Sequence, residues 1–167
     1  MDVFLTILNV ASYVITFFSL IALIWGVISW LRGTLPTLIR LGNAISTRKI
    51  AIFARGDDLD TLKGLLLESK LFKEKNILSI SSEGNIGRAE RAKLLLVFWP
   101  DWEDKIAQIL KLHRDNTALI VYAPAGSKHV PDDVLAELNN KRYFTLVNAR
   151  GRLLNDVFTS LITTGHD

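Results

Sequence analysis

From Val3 to Leu31 the chain runs for 29 residues without a charged side chain, VFLTILNVASYVITFFSLIALIWGVISWL. No other feature restricts the fold as much. As a helix rising ~1.5 Å per residue, this stretch reaches about 43 Å, more than the ~30 Å of a bilayer's hydrocarbon core. A secretory signal peptide would need a basic start, a shorter apolar run and a small-residue cleavage site, and none is present. A buried soluble helix fits no better, because a domain of this size cannot enclose so long an apolar rod. Residues 1–31 are therefore expected to form a single transmembrane helix. Its flanks are unequal. Asp2 is the only charge on the amino side, whereas Arg32, Arg40, Arg48, Lys49 and Arg55 precede the next acid, Asp57. Positive charge stays on the cytoplasmic face, so the N-terminus is expected outside and the rest of the chain in the cytoplasm, with Trp25 and Trp30 as interface anchors.

Within the span, Thr6, Asn9, Ser12, Thr16 and Ser19 recur every three or four residues and so share one helix face. Such a stripe either glues one helix to another copy or lines a polar path through an oligomer. Both readings imply a homo-oligomer, with a tetramer expected. Residues 32–47, RGTLPTLIRLGNAIST, are read as a juxtamembrane connector. Either it is a short interfacial helix beginning near Pro36, with Leu35, Leu38, Ile39 and Ile45 on one face, or it is a plain linker. Gly42 and Asn43 weaken a helix there.

Residues 48–167 have another character. Residues 32–167 carry all 20 Lys and Arg and 16 of the 17 acids, and the whole chain has 49% hydrophobic residues and no cysteine. That composition excludes disorder, a disulfide framework and a Cys nucleophile. Five apolar runs are expected as strands: Lys49–Ala54, Asn76–Ser81, Lys93–Trp99, Thr117–Ala123 and Tyr143–Asn148. Helical patterns alternate with them over Leu59–Phe72, Ile86–Ala92, Glu103–His113, Pro131–Asn140 and Leu153–Thr163. The third and fourth runs are almost wholly apolar, as in a parallel sheet covered on both faces. The expectation is an α/β fold, a five-stranded parallel Rossmann-like or flavodoxin-like three-layer sandwich.

Ligands of such sheets bind beyond the carboxyl ends of the strands. Five loops fall there, rich in Gly, Ser, Asn and Arg, residue types that hold phosphate. The candidate ligand-binding residues are Arg55, Ser82, Gly84, Asn85, Arg88, Trp102, Ser127, Lys128, Asn148, Arg150 and Arg152. The SSEGNIGR loop containing Ser82 to Arg88 is the best anion cradle, though its glycine spacing matches neither GxGxxG nor a P-loop. Arg150 and Arg152 stand at a helix start, where cations oppose the macrodipole and a bound anion would offset the cost. Trp99 and Trp102 either pack in the core or stack on a base.

Three enzyme chemistries can be set against these residues. Asp57-Asp58 resembles the acidic pair of a phospho-receiver, but the third strand ends in Phe98-Trp99-Pro100 without a phosphoacceptor carboxylate, and the fifth ends in Asn148 rather than Lys. A TIR-like NAD hydrolase would draw its glutamate from Glu83, Glu90 or Glu103, but the residues supporting Trp102-Glu103 in that family are missing. His113, His129 and His166 have no metal-ligand or triad spacing. No catalytic residue, metal or cofactor is expected.

The striped helix, the SSEGNIGR loop and the tail NARGRLLNDVFTSLITT together resemble small membrane effectors of bacterial anti-phage signalling, among them CRISPR-associated membrane proteins with CARF sensors and the channel effector of the Hailong system. The resemblance is architectural, and no single motif is diagnostic. It implies an oligomeric ion channel in the bacterial inner membrane, regulated by a cyclic or linear oligonucleotide from a partner nucleotidyltransferase or CRISPR polymerase. A membrane-tethered TIR-like NAD hydrolase and a membrane-anchored protein-binding scaffold remain the alternatives.

Overall fold

The computed structural model describes residues 2–164. They form two compact units that divide between Leu41 and Gly42. The first helix, α1 (Asp2–Ser46), is one element of 45 residues with Pro36 inside it. The separate helix start expected at Pro36 is not seen. A proline inside a helix costs about 3 kcal/mol through a lost hydrogen bond and a clash with the carbonyl four residues back. Here the i, i+4, i+7, i+8 spacing of Leu31, Leu35, Leu38 and Ile39 continues the apolar pattern through it, and the helix runs on. Within α1, the stretch Asn9–Pro36 is long and apolar enough to cross a membrane, and none of it is buried. Phe17, Trp25 and Trp30 are each more than 60% exposed.

The second unit carries a five-stranded sheet: β1 (Ile50–Phe53), β2 (Ile77–Ile80), β3 (Leu94–Phe98), β4 (Ala118–Tyr122) and β5 (Phe144–Val147). All neighbours are parallel, and the order is β2-β1-β3-β4-β5. The side of the sheet on which successive strands are added therefore reverses between β1 and β3. Every residue of β1, β3 and β4 is buried, which is why those runs read as unbroken apolar stretches. Side chains alternate between faces. Ala51, Phe53, Leu95, Val97, Leu119 and Val121 join one core cluster with Ile86, Trp102, Ile109 and Leu138. Ile50, Ile52, Leu94, Leu96 and Ile120 point the other way and are equally buried, where α2 (Gly56–Glu68) and α6 (Arg150–Thr163) supply Leu62, Leu66, Leu153, Val157 and Leu161. The sheet is thus covered on both faces.

The return from β2 to β3 departs from the expected α-helix. Residues Glu83–Arg91 form a 3-10 helix. Ile86, Ala89 and Ala92 are spaced by three and all buried, so a helix of three residues per turn lines them up on the sheet where an α-helix would rotate Ala92 away. Gly84 and Gly87 remove the α preference. The stretch expected as one helix over Glu103–His113 is divided too. It becomes a 3-10 turn over Glu103–Lys105 and α4 (Ile106–Leu110), and before it Trp99, expected to end the third strand, opens the short α3 (Trp99–Trp102); α5 (Asp132–Asn139) follows β4.

Candidate functional site

The carboxyl edge of the sheet is crossed by short polar links that tie its loops in spatial order. At the reversal between β1 and β3, the backbone N–H of Arg55 donates to Asp101 Oδ2 at 2.6 Å. The Arg55 guanidinium lies 5.0 Å from the centre of the Trp102 ring, and that ring stands edge-on to Phe53. From the β2 side, Glu83 pairs with Lys105 at 3.1 Å. Glu103 pairs with Lys128 across the loops after β3 and β4. The Ala125 N–H donates to the Asn148 carbonyl at 3.2 Å, joining the loops after β4 and β5.

These links decide where a ligand has room. At the reversal, the protein's own Arg55, Asp101 and Trp102 contact one another. Trp102 is fully buried, so its ring offers no open face for a base, and the packing alternative describes it. The open space lies farther along the same edge. A cavity of about 280 Å³ sits at the carboxyl ends of β4 and β5, with Ala123, Gly126, Ser127, Lys128, Leu135, Leu146 and Asn148 among its walls. Gly126 takes φ +86°, a backbone conformation an L side chain rarely adopts, and so shapes the loop that forms the rim. The Ser127 N–H closes this turn on the Pro124 carbonyl at 2.9 Å. The Ser127 hydroxyl is buried and makes no hydrogen bond among the described residues.

Three of the sequence candidates, Ser127, Lys128 and Asn148, are thereby brought together. Arg150 and Arg152 are exposed in the first turn of α6, two and four residues past Asn148, and do not line the cavity. That turn holds no acid, in contrast to α2 with Asp57 and Asp58 and α5 with Asp132 and Asp133. The acids of α2 and α5 favour their helix dipoles, whereas the α6 arginines oppose theirs.

The remaining candidates are elsewhere. Asn85 Nδ2 donates to Ser82 Oγ at 3.1 Å, so these two bind each other beside exposed Gly84. Arg88 is separated from all of them. It lines a different, more polar cavity of about 500 Å³ together with Lys49, Leu78, Gly87, Glu90 and Arg91. The cause is the connection itself, since the 3-10 helix must carry the chain from the carboxyl end of β2 back to the amino end of β3. The apolar walls Leu135 and Leu146, and the basic residues Lys49 and Arg91, are not among the ligand-binding residues expected from the sequence. Leu146 reads as an ordinary strand residue, and only its place on the edge strand β5, where it is 40% exposed, distinguishes it.

On α1, Asn9, Ser12, Thr16 and Ser19 are exposed. The Thr16 hydroxyl donates to the Ser12 carbonyl at 2.8 Å, so its proton is already used within the helix. The Asn9 side chain makes no hydrogen bond among the described residues. His113 is half-buried, which lowers its pKa below 6.5 against the opposing effect of backbone bonds with Thr117 and Arg142. His166 lies outside the described residues. No protein-family model, curated protein or solved structure matches this chain.

Proposed function

We propose that the chain is a membrane effector, with α1 crossing the bilayer, copies joined through its polar stripe as an ion channel, and the α/β domain regulating that channel by binding an oligonucleotide. The observation that carries the ligand class is the cavity beyond β4 and β5. It combines a glycine turn, an amide, a buried hydroxyl that makes no hydrogen bond among the described residues and the Lys128 ammonium, which also pairs with Glu103, and two arginines follow on the next helix. Backbone N–H groups, hydroxyls and guanidinium forks are the groups that recognise phosphate. The apolar walls Leu135 and Leu146 suit a base or ribose edge. The strand order 2-1-3-4-5 is that of flavodoxin-like doubly wound sheets, whose ligands sit at this edge. The anti-phage setting and the source of the ligand rest on architectural resemblance alone.

An enzyme reading finds less support. Glu83 and Glu103, two of the glutamates such an enzyme would draw on, are each paired with a lysine.

The test is binding of cyclic and linear oligoadenylates to the full chain in detergent, by calorimetry at several salt concentrations. Each neutralised phosphate should steepen the log–log salt dependence by roughly 0.7. Arg150→Ala/Arg152→Ala should weaken binding and flatten that slope. Absence of binding across the panel, or binding indifferent to both arginines, would overturn the assignment.

A further inference from the structure

We infer that the edge strand β5 pairs antiparallel with β5 of a second copy, about a two-fold axis at Thr145, so that two α/β domains share one continuous sheet.

β5 ends the sheet, and no strand among the described residues lies on its far side. The carbonyls of Tyr143 and Val147 accept the N–H groups of Leu119 and Ala123 at 3.0 and 2.9 Å, so this alternate set of residues faces β4. The N–H and C=O groups of Phe144 and Leu146 therefore point away from the sheet, where a further strand would bond them. Proteins commonly blunt such an edge with a charge, a proline or a bulge. β5, Phe-Thr-Leu-Val, has no charge or proline, and its register with β4 is unbroken. The other edge, β2, hides its isoleucines, with Ile77 8% and Ile80 0% exposed, whereas Leu146 is 40% exposed.

Two identical edges that close on each other do so about a two-fold axis. With Thr145 on that axis, Phe144 of each copy lies opposite the partner's Leu146, and the outward groups of these residues form two hydrogen-bonded pairs. Their side chains then meet across the strands on the face that carries α5, where Phe144 already packs beside Leu135.

The charges of α5 select a second copy as the occupant. The helix opens on Asp132 and Asp133 and is followed by Lys141 and Arg142. The axis sets the two copies of α5 antiparallel on one face, the acidic start of each beside the basic end of its partner. Asp133, Lys141 and Arg142 have no ion-pair partner among the described residues, and Asp132 has only His129 at 4.0 Å. The Arg142 guanidinium lies 4.9 Å from the centre of the Tyr143 ring, which keeps it at the start of β5. A partner of one charge would suit one end of α5 and be repelled at the other. The same axis sets the amino end of each β5 beside the carboxyl end of its partner's, where the cavity of about 280 Å³ opens. The pairing depends neither on α1 entering a bilayer nor on the ligand proposed for that cavity.

The chain has no cysteine, so a single introduced thiol reports the interface. Residues facing each other at Thr145 would form a non-hydrogen-bonded pair with Cα atoms about 4.5 Å apart, inside the range of about 4.4–6.8 Å that a disulfide spans. Full-length Thr145→Cys in mild detergent should shift to twice the chain mass on oxidation, read on a non-reducing gel. Ser79→Cys, on the opposite edge strand, should not. Asp132→Lys/Asp133→Lys should slow the Thr145→Cys link, and adding Lys141→Glu/Arg142→Glu should restore it. If urea unfolding shows Thr145→Cys to be destabilised, the wild type decides. A zero-length carbodiimide should join Asp133 to Lys141 in a species of twice the chain mass, identified by peptide mass spectrometry. Within one chain these two residues are about 12 Å apart along α5, beyond such a link. A folded Thr145→Cys that stays monomeric, a Ser79→Cys that links as readily, or a wild type without the Asp133–Lys141 link overturns the pairing. Another protein covering β5 would give that same negative result. An oligomer in native mass spectrometry without any link at β5 defeats this inference and leaves the association of α1 standing.

Discussion

Arg55 and Trp102 show how a residue that looks available for a ligand is consumed by the fold. A guanidinium over an aromatic face is worth about 0.5–1 kcal/mol at an exposed site. Here that contact, together with the bond from the Arg55 N–H to Asp101, lies at the β1/β3 position where such sheets commonly take their ligand. A sequence lists Arg, Asp and Trp at the correct loops but cannot say that they satisfy one another. His113 is the residue whose chemistry gives a pH signature. Burial favours its neutral form, so its pKa is depressed in the folded chain. The unfolded chain therefore binds more protons between the folded value and 6.5, and stability rises with pH through that window. Urea unfolding of the full chain in detergent should show stability constant above pH 7 and falling as the pH drops below 6.5. His113→Gln should remove most of that fall between pH 7 and 5.5, and an unchanged profile would place its origin elsewhere.

At the scale of elements, the strands were legible because β1, β3 and β4 are buried on both faces and leave no polar residue to blur their limits. The 3-10 helix was not. Its sequence carries a three-residue apolar repeat over only seven positions, Ile86, Ala89 and Ala92, too short to separate from an α-helical period without the sheet beneath it. That misreading also misplaced Arg88, because the direction of the returning chain decides which edge its side chain reaches. The site was legible in part for the same reason. Ser127, Lys128 and Asn148 belong to loops at adjacent parallel strands, so alternation alone places them together, whereas Leu135 and Leu146 enter through helix packing and edge exposure. The rim turn makes a sharp prediction. A Cβ on Gly126 would meet nothing within 4 Å, so replacing it costs only backbone strain. With φ at +86°, Gly126→Ala should destabilise by about 1–2 kcal/mol in urea unfolding. Gly56, at φ +51°, lies in the left-handed region that Asn tolerates, so Gly56→Asn should cost less. Equal costs at the two positions would contradict this account of the turn.

For the whole molecule, α1 sets the terms. An apolar helix of this length with no part of its span buried has to find another environment, and the stripe of polar residues gives copies of it a reason to meet. Asn9→Leu removes the strongest polar group in that stripe. It should lower the fraction of oligomer seen by native mass spectrometry in mild detergent while leaving insertion intact, by a coupling of about 0.6–2 kcal/mol per contact. A monomer in the wild type would defeat the channel reading at once. Regulation sets a further condition. Moving an assembly from almost wholly closed to almost wholly open requires a differential affinity of about 5.5 kcal/mol. A ligand shared between subunits of a symmetric assembly reaches that more readily than one small anion per chain.

The central claim is that occupancy of the cavity beyond β4 and β5 controls an ion path and consumes nothing. Proteoliposomes holding the full chain, a potential-sensitive dye and NAD test it directly when titrated with cyclic and linear oligoadenylates. The account predicts a change in ion flux that follows occupancy of the cavity, with NAD intact, and its loss in Arg150→Ala/Arg152→Ala. Flux indifferent to every oligoadenylate, or NAD consumed and then spared by Glu83→Gln or Glu103→Gln, would contradict it.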